Sequence, residues 1–320
     1  MPRHALEPAE YPFFDYRRFT FSLGIAAAGC IWLSGSTAAR FKDGKMVVDG
    51  DLIAQAGVIH DKMKATLVPK SRDMKDVFRM VRYVTPAAIP QLLALDAEQA
   101  EIFVGKPIVS TVVVKSLLRP EALIEIEAVV DDGGAHAIDY LPSITAPDRA
   151  TAWDQAEQAL RARKLELTDV GRALEVLTPA TSPQNAPDGC AATLSVVSPC
   201  LTGKQEGVQI EMATIGSDAR RLLFASAEGD SAQDGVVQQC RDVYARLHER
   251  LVQSGAGIDT VVTTTEFIVP AALAEYRKTA EIRRELFSSP YPAATGVICE
   301  RLMQPGALIA VEATAVPEVG

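Results

Sequence analysis

The sequence predicts an α/β (α+β) protein made of three fused units, each a small mixed sheet with helices on one face. Two observations carry this. Residues 76–86, 169–179 and 261–270 align without a gap from the shared Val (Val77, Val170, Val261) to the shared Pro (Pro86, Pro179, Pro270). Further on, each unit has a Leu ten positions before a Glu: Leu117 and Glu127, Leu201 and Glu211, Leu302 and Glu312. At 320 residues and 48% apolar content the chain has material for several cores. The expected division is 1–132, 133–216 and 217–320, with turn-rich boundaries at 131–134 and 216–218.

The first unit opens with strand-like stretches over 19–25 and 30–34. Leu52, Ile53, Ala56, Ile59 and Met63 recur near helical spacing and predict an amphipathic helix over 51–67. A strand over 77–84, a helix over 86–103 and strands over 110–117 and 123–129 follow. The third unit repeats the order, with strands over 221–226, 260–269, 295–302 and 307–315 and helices over 232–253 and 271–286. Pro107 and Pro292 stand just before the final strand pair in these two units, where Pro opens a strand without breaking its ladder. The second unit is abbreviated: strands over 137–141, 170–177, 192–198 and 208–215, one helix over 150–163, and a turn-rich loop over 180–189 where a second helix is due. The alternative is a linker over 131–190 joining two domains.

A net charge of −9 and the lack of a basic patch argue against nucleic acid as a partner. The five cysteines, Cys30, Cys190, Cys200, Cys240 and Cys299, lack CxxC spacing and read as thiols in a reducing compartment. The apolar run over 21–33 is too short and too rich in Gly and Ala to cross a bilayer, so a cytoplasmic protein with no membrane partner is expected. His4, His60, His136 and His248 have no metal-ligand spacing, and no phosphate loop or nucleophile elbow occurs; no metal and no cofactor are expected.

Alternation along the closing strands separates two faces. Ile124, Ile126 and Ala128 share one face, and Glu125 and Glu127 the other. Ile210 and Met212 oppose Gln209 and Glu211; Ile309, Val311 and Ala313 oppose Ala310 and Glu312. The apolar face suits the helices. The Glu-bearing face needs another cover, because an unpaired buried charge is costly, and the natural cover is the next unit.

Trp32-Leu33-Ser34-Gly35, Gln55-Ala56, Tyr83-Val84 and the run from Leu117 to Ala128, with Phe224-Ala225-Ser226, Pro292-Ala293-Ala294-Thr295 and the run from Pro305 to Ala313, resemble the Rid family, the reactive intermediate deaminases also called the YjgF family. The resemblance implies subunits with two helices on one sheet face, trimers whose sheets meet inside, and a ligand cleft at each interface. Three units in one chain then look like a Rid trimer made covalent. It also implies a carboxylate-gripping Arg, which falls here on Val109, Thr193 and Ala294, and a water-holding Glu, which falls on Glu125, Gln209 and Ala310. Arg is absent from all three positions and the acid remains once. The ring-lined position corresponds to Phe21, and the cleft Ser to Ser34, matched by Ser143 and Ser226.

The expected site therefore centres on Glu125, which orients or deprotonates a water that attacks an imine or similar carbon. Ser34, Gly35, Phe21, Glu127 and Arg18 are the expected substrate-binding residues, and Glu127, roughly 7 Å from Glu125, raises its pKa by like-charge coupling. Arg17, Arg79, Arg82 and Lys115 are other available cations. The expected function is a hydrolase resembling Rid enamine/imine deaminases, acting on a small metabolite such as a cyclic or aromatic-derived one. A chorismatase-like enzyme on a cyclic carboxylate and a non-catalytic Rid-like ligand-binding protein are the alternatives. A fused chain of this kind predicts a monomer or weak homo-oligomer with a small-molecule partner.

Overall fold

A parallel strand pair needs a crossover, and in this chain a helix makes it. The computed structural model describes residues 3–133, 138–181, 187–203, 206–215 and 222–317. In the first sheet the order is His4–Ala5, Gly24–Ala27, Cys30–Thr37, Ile124–Asp131, Val77–Val84, Ile108–Val113. Only the last pair is parallel, and the connection between its strands runs through a 3-10 segment, Pro86–Gln91, and the helix Leu92–Ile102. Asp51 caps the helix Leu52–Leu67 by accepting from the Ala54 amide. That helix buries Leu52, Ala56, Ile59 and Met63 in one core with Ile124, Ile126 and Ala128, the face that alternation assigns to it.

The third sheet repeats the plan with Leu223–Glu228, Ile309–Ala315, Val261–Ile268 and Ala293–Ile298, under the helix Gly235–Gln253. Its second helix is broken, running as Leu273–Tyr276, a 3-10 turn Arg277–Thr279, and Ala280–Leu286. In the second sheet Ile138–Tyr140 and Ile144–Ala146 both pair with Val208–Ile215, followed by Val170–Leu177 and Ala192–Val197. One helix, Arg149–Arg161, covers it, and the described part of 180–189 holds no helix. The boundary at 216–218, with Gly134, His136 and Ala137, falls outside the described residues.

The expected strands over 110–117 and 295–302 each break in two. After Ile108–Val113 the chain leaves its own sheet, and Ser116–Leu117 pairs with Ala293–Ile298 of the third. In the same way Arg301–Leu302 pairs with Ala192–Val197 of the second sheet. From the second back to the first, Ser198 Oγ donates to the Val113 carbonyl at 2.6 Å. An exposed strand edge leaves amides and carbonyls unpaired, and each sheet thus supplies a partner to a neighbour's edge. The links run in one cyclic order, first to third to second to first.

Two further differences lie near the N-terminus. The strand expected over 19–25 is confined to Gly24–Ala27, because Ser22 turns outward and bonds across to the third unit, its amide to the Pro292 carbonyl and its hydroxyl to the Tyr291 carbonyl. A hairpin, Arg40–Lys42 with Lys45–Val47, lies outside the main sheets; its Asp43-Gly44 turn, with both residues at positive φ, was the available signal. Cys30, Cys240 and Cys299 are buried, and all five cysteines are unpaired. Among the described residues no helix is long and apolar enough to cross a membrane.

Candidate functional site

The strands 77–84, 170–177 and 261–268 have the same bulge after their first residue, which makes Arg79, Arg172 and Thr263 equivalent. Two residues further along each of these strands, opposite Val81, Leu174 and Thr265, stand Glu127, Glu211 and Glu312 of the closing strands. Arg79 of the first sheet pairs with Glu211 of the second at 3.0 Å, and Arg172 of the second pairs with Glu312 of the third at 2.5 Å. Ser110 donates to Glu211 as well, and Gln209 donates to its other oxygen at 2.7 Å. The Glu-bearing faces therefore cover one another, and Glu211 and Glu312 each meet an arginine of a neighbouring sheet.

Glu127 is treated differently. Its partner strand is in the third unit, where Thr263 replaces the arginine, and its carboxylate accepts from hydroxyls: Thr295 at 2.6 Å and Tyr83 at 3.1 Å. Thr295 in turn accepts the Gly35 amide at 3.1 Å. The first cleft thus lies between the first and third sheets, an arrangement that one chain's alternation could not decide.

Glu125 is buried in this cleft, directly against Gly35: a Cβ on Gly35 would sit 2.3 Å from Glu125 Oε1 and 2.8 Å from the Thr295 side chain. The absence of a side chain at this position is what lets the two sheets close over the carboxyl. Burial, reinforced by the charge of Glu127, pushes the Glu125 carboxyl up to about 8, against the Gly296 backbone N–H and Lys62, which favour the charged form. At neutral pH this carboxyl is therefore mostly protonated.

Ser34 lies in the same interface, with both hydrogen-bonding roles engaged. Its hydroxyl donates to the Ser22 carbonyl at 2.6 Å and accepts from the Ala294 amide at 2.8 Å. Ala294, at the family's arginine position, thus offers its backbone to the interface. Phe21 is half-buried and stacks on Phe19, centroids 5.5 Å apart. Arg18 is not drawn into this group: its side chain is 82% exposed and pairs with Asp15 at 2.8 Å. Arg17 also stays outside, over the ring of Tyr16. Lys115 pairs with Glu300 at 2.9 Å on the surface.

Sequence reasoning missed Lys62. It sits on the helix Leu52–Leu67 at a buried position, donates to the Thr37 and Ala39 carbonyls, and lies over the rings of Phe13 and Phe14 at 5.8 and 5.0 Å. Burial lowers its pKa to about 7, partly opposed by Glu125. A Lys on the apolar stripe of a helix, at the spacing of Ile59 and Thr66, was the available signal. Also missed was a charge on the helix-facing side at one repeat position: Arg82 with Asp96, Glu175 with Arg149, Glu266 with Arg283.

Among the described residues, no group of three or more His, Cys, Asp and Glu side chains is placed to hold a metal ion. What these elements define is a class of protein: small sheets with helices outside, joined by inward faces, with polar clefts at the joins. The family whose sequence model matches is described as Endoribonuclease L-PSP, and the match covers residues 216–317, the third unit, in agreement with the resemblance to the Rid (YjgF) family drawn from the residues. Solved structures similar to the chain include a Rid-family protein of unknown function from Yersinia pestis (22% identity, 40% of this chain and 98% of that one, TM-score 0.35). Another is a YjgF-family member from Mycobacterium tuberculosis (22% identity, 40% and 98%, TM-score 0.33). A chorismatase is similar over 77% of this chain and 94% of its own, at 11% identity and a TM-score of 0.48. No curated protein sequence matches the chain.

Proposed function

We propose that the chain is a Rid trimer fused into one polypeptide, with units near 1–132, 133–216 and 217–320, and that its first cleft hydrolyses the C–N bond of a small enamine or imine in the cytoplasm. The observation that carries this reading is the buried Glu125 carboxyl, alone among its equivalents Gln209 and Ala310 in being an acid and held near neutrality. Carboxyls tuned upward in this way serve as proton donors at pH 7.

The first step is donation: Glu125 protonates the enamine carbon or the imine nitrogen and leaves an iminium. Its carboxylate then takes a proton from the water that adds to the iminium carbon. Collapse of the carbinolamine releases the amine and leaves the carbonyl compound. The basic role read from the sequence thus becomes the second half of a cycle. Gly35, Phe21 and Glu127 frame the substrate beside it; Ser34 holds the cleft closed through Ser22 and Ala294. Ser36, Thr37 and Phe21 keep partial exposure and are the proposed way in.

A chorismatase-type reaction would require a cation for a ring carboxylate. Arg79, Arg172 and Arg283 are each engaged by a carboxylate of this chain, so the hydrolase reading is preferred. The net charge of −9 likewise gives no support to an RNA substrate, despite the family's description. The test is ammonia release from imines generated in situ, with chorismate turnover run beside it, for wild type and Glu125→Gln. The reading predicts imine turnover reduced at least about 100-fold in the variant. Equal turnover by both proteins removes Glu125 from the chemistry.

A further inference from the structure

At one repeat position the inward faces carry three equivalent carboxylates, Glu127, Glu211 and Glu312, but the position that pairs with them holds arginine only twice, because Thr263 occupies the third. Arg79 shows what surrounds the arginine where it is present. Arg79 not only pairs with Glu211 but lies over the ring of Tyr140, 5.1 Å from its centroid. Tyr140 stands two residues beyond the Glu in register, opposite Ala213, and the equivalent positions are Phe224, opposite Thr314, and Trp32, opposite Val129. The third set is therefore Trp32, Glu127 and Thr263: an indole face and a carboxylate, with the guanidinium missing.

The space is not filled by neighbours. A cavity of about 60 Å³ is lined by Trp32, Glu127, Thr263 and Thr265, together with the ion-paired Arg79, Arg172 and Glu312. That is room for a small ion or about two waters. Trp32 is buried, while Glu127, Thr263 and Phe224 retain partial exposure, so the cavity communicates with solvent. Tyr83 and Thr295 donate to Glu127 without neutralising it. An indole is the aromatic ring that binds cations best, and a partly desolvated carboxylate beside it adds a charge-assisted hydrogen bond.

We propose that this cavity is a binding site for a small N–H-bearing monocation, a guanidinium or ammonium group, which takes the place of the third arginine. The proposal is tested without an activity assay, so its outcome is read apart from the chemistry proposed at Glu125. Purified protein is titrated with guanidinium chloride to about 20 mM, and in parallel with ammonium chloride, at ionic strength held constant with sodium chloride. Thermal midpoint and tryptophan emission are read. Trp153, hydrogen-bonded to Glu175 on the helix side of the second sheet, contributes a constant background.

A saturable rise in midpoint of a few degrees with either cation, together with a change in Trp32 emission, is the expected result. Both responses vanish in Glu127→Gln. Thr263→Arg, which supplies the cation from within, is expected to raise the midpoint by itself and to abolish the response to added cation. Should Thr263→Arg fail to fold, Glu127→Gln alone decides. A midpoint that does not respond to either cation, or a rise of equal size in Glu127→Gln, overturns the proposal.

Discussion

The Arg79 guanidinium and the Glu211 carboxylate meet at 3.0 Å across the join between the first and second sheets, with side chains only 3% and 1% exposed. Removing one member leaves the other buried and uncompensated, whereas removing both leaves only a volume change. Arg79→Met or Glu211→Gln alone is expected to cost about 3–5 kcal/mol, and the double variant clearly less than the sum. Chemical denaturation of the four proteins measures this; additive losses would mean that the pair does not couple the sheets.

Gly35 is where the first and third sheets approach most closely around Glu125. Gly35→Ala would place a methyl 2.3 Å from Glu125 Oε1 and force either the carboxyl or Thr295 to move. Overpacking of this kind costs about 1–3 kcal/mol. Alanine at Gly44, which has open space around it but a left-handed backbone, serves as a control for simple backbone effects.

Ser34 is expected to act on stability rather than on substrate affinity. Ser34→Ala strands the Ala294 amide and the Ser22 carbonyl inside an interface, a loss of about 1–3 kcal/mol. An unchanged melting midpoint together with a raised KM would instead assign the hydroxyl to the substrate.

The Glu125 carboxyl makes stability depend on pH in a defined direction. Its folded value, about 8, lies above the 4.5 of an ordinary Glu, so between these values the folded protein holds a proton that the unfolded chain releases. The group's contribution is complete below about pH 4.5 and is lost as pH rises to about 8. Glu125→Gln is neutral throughout, so its stability relative to wild type should climb over that window by an amount on the order of a few kcal/mol. Lys62 acts in a different window: the cost of burying its charged form is present below about pH 7 and is relieved as pH rises toward 10.5. Melting midpoints of both proteins between pH 5 and 7 isolate Glu125, and parallel curves would place its carboxyl at an ordinary value.

Much of this was legible from periodicity. The two-residue alternation that puts Ile124 and Ile126 against the helix and Glu125 and Glu127 on the other face holds in the sheet, because one face must meet the helix Leu52–Leu67. The gapless match of Val77, Val170 and Val261 corresponds to a shared bulge and register. What the pattern could not hold is anything decided between sheets. Leu117 and Leu302 read as continuations of their strands, yet each completes a neighbour's edge, and strand propensity is the same in either sheet. Arg79 looked like a free cation because its carboxylate, Glu211, comes from another unit, 132 residues away. Arg18 looked available for the same reason in reverse: its partner, Asp15, lies within one turn, and nothing in the pattern marks that turn as surface.

The most direct test of the account is the pH profile of ammonia release from an imine generated in situ, compared between wild type and Glu125→Gln. A proton donor with a pKa near 8 predicts a wild-type rate that is level below about pH 7 and falls tenfold per unit above 8, with a variant that is at least about 100-fold slower and flat over the same range. A variant that matches wild type in rate and shares its profile would contradict the account.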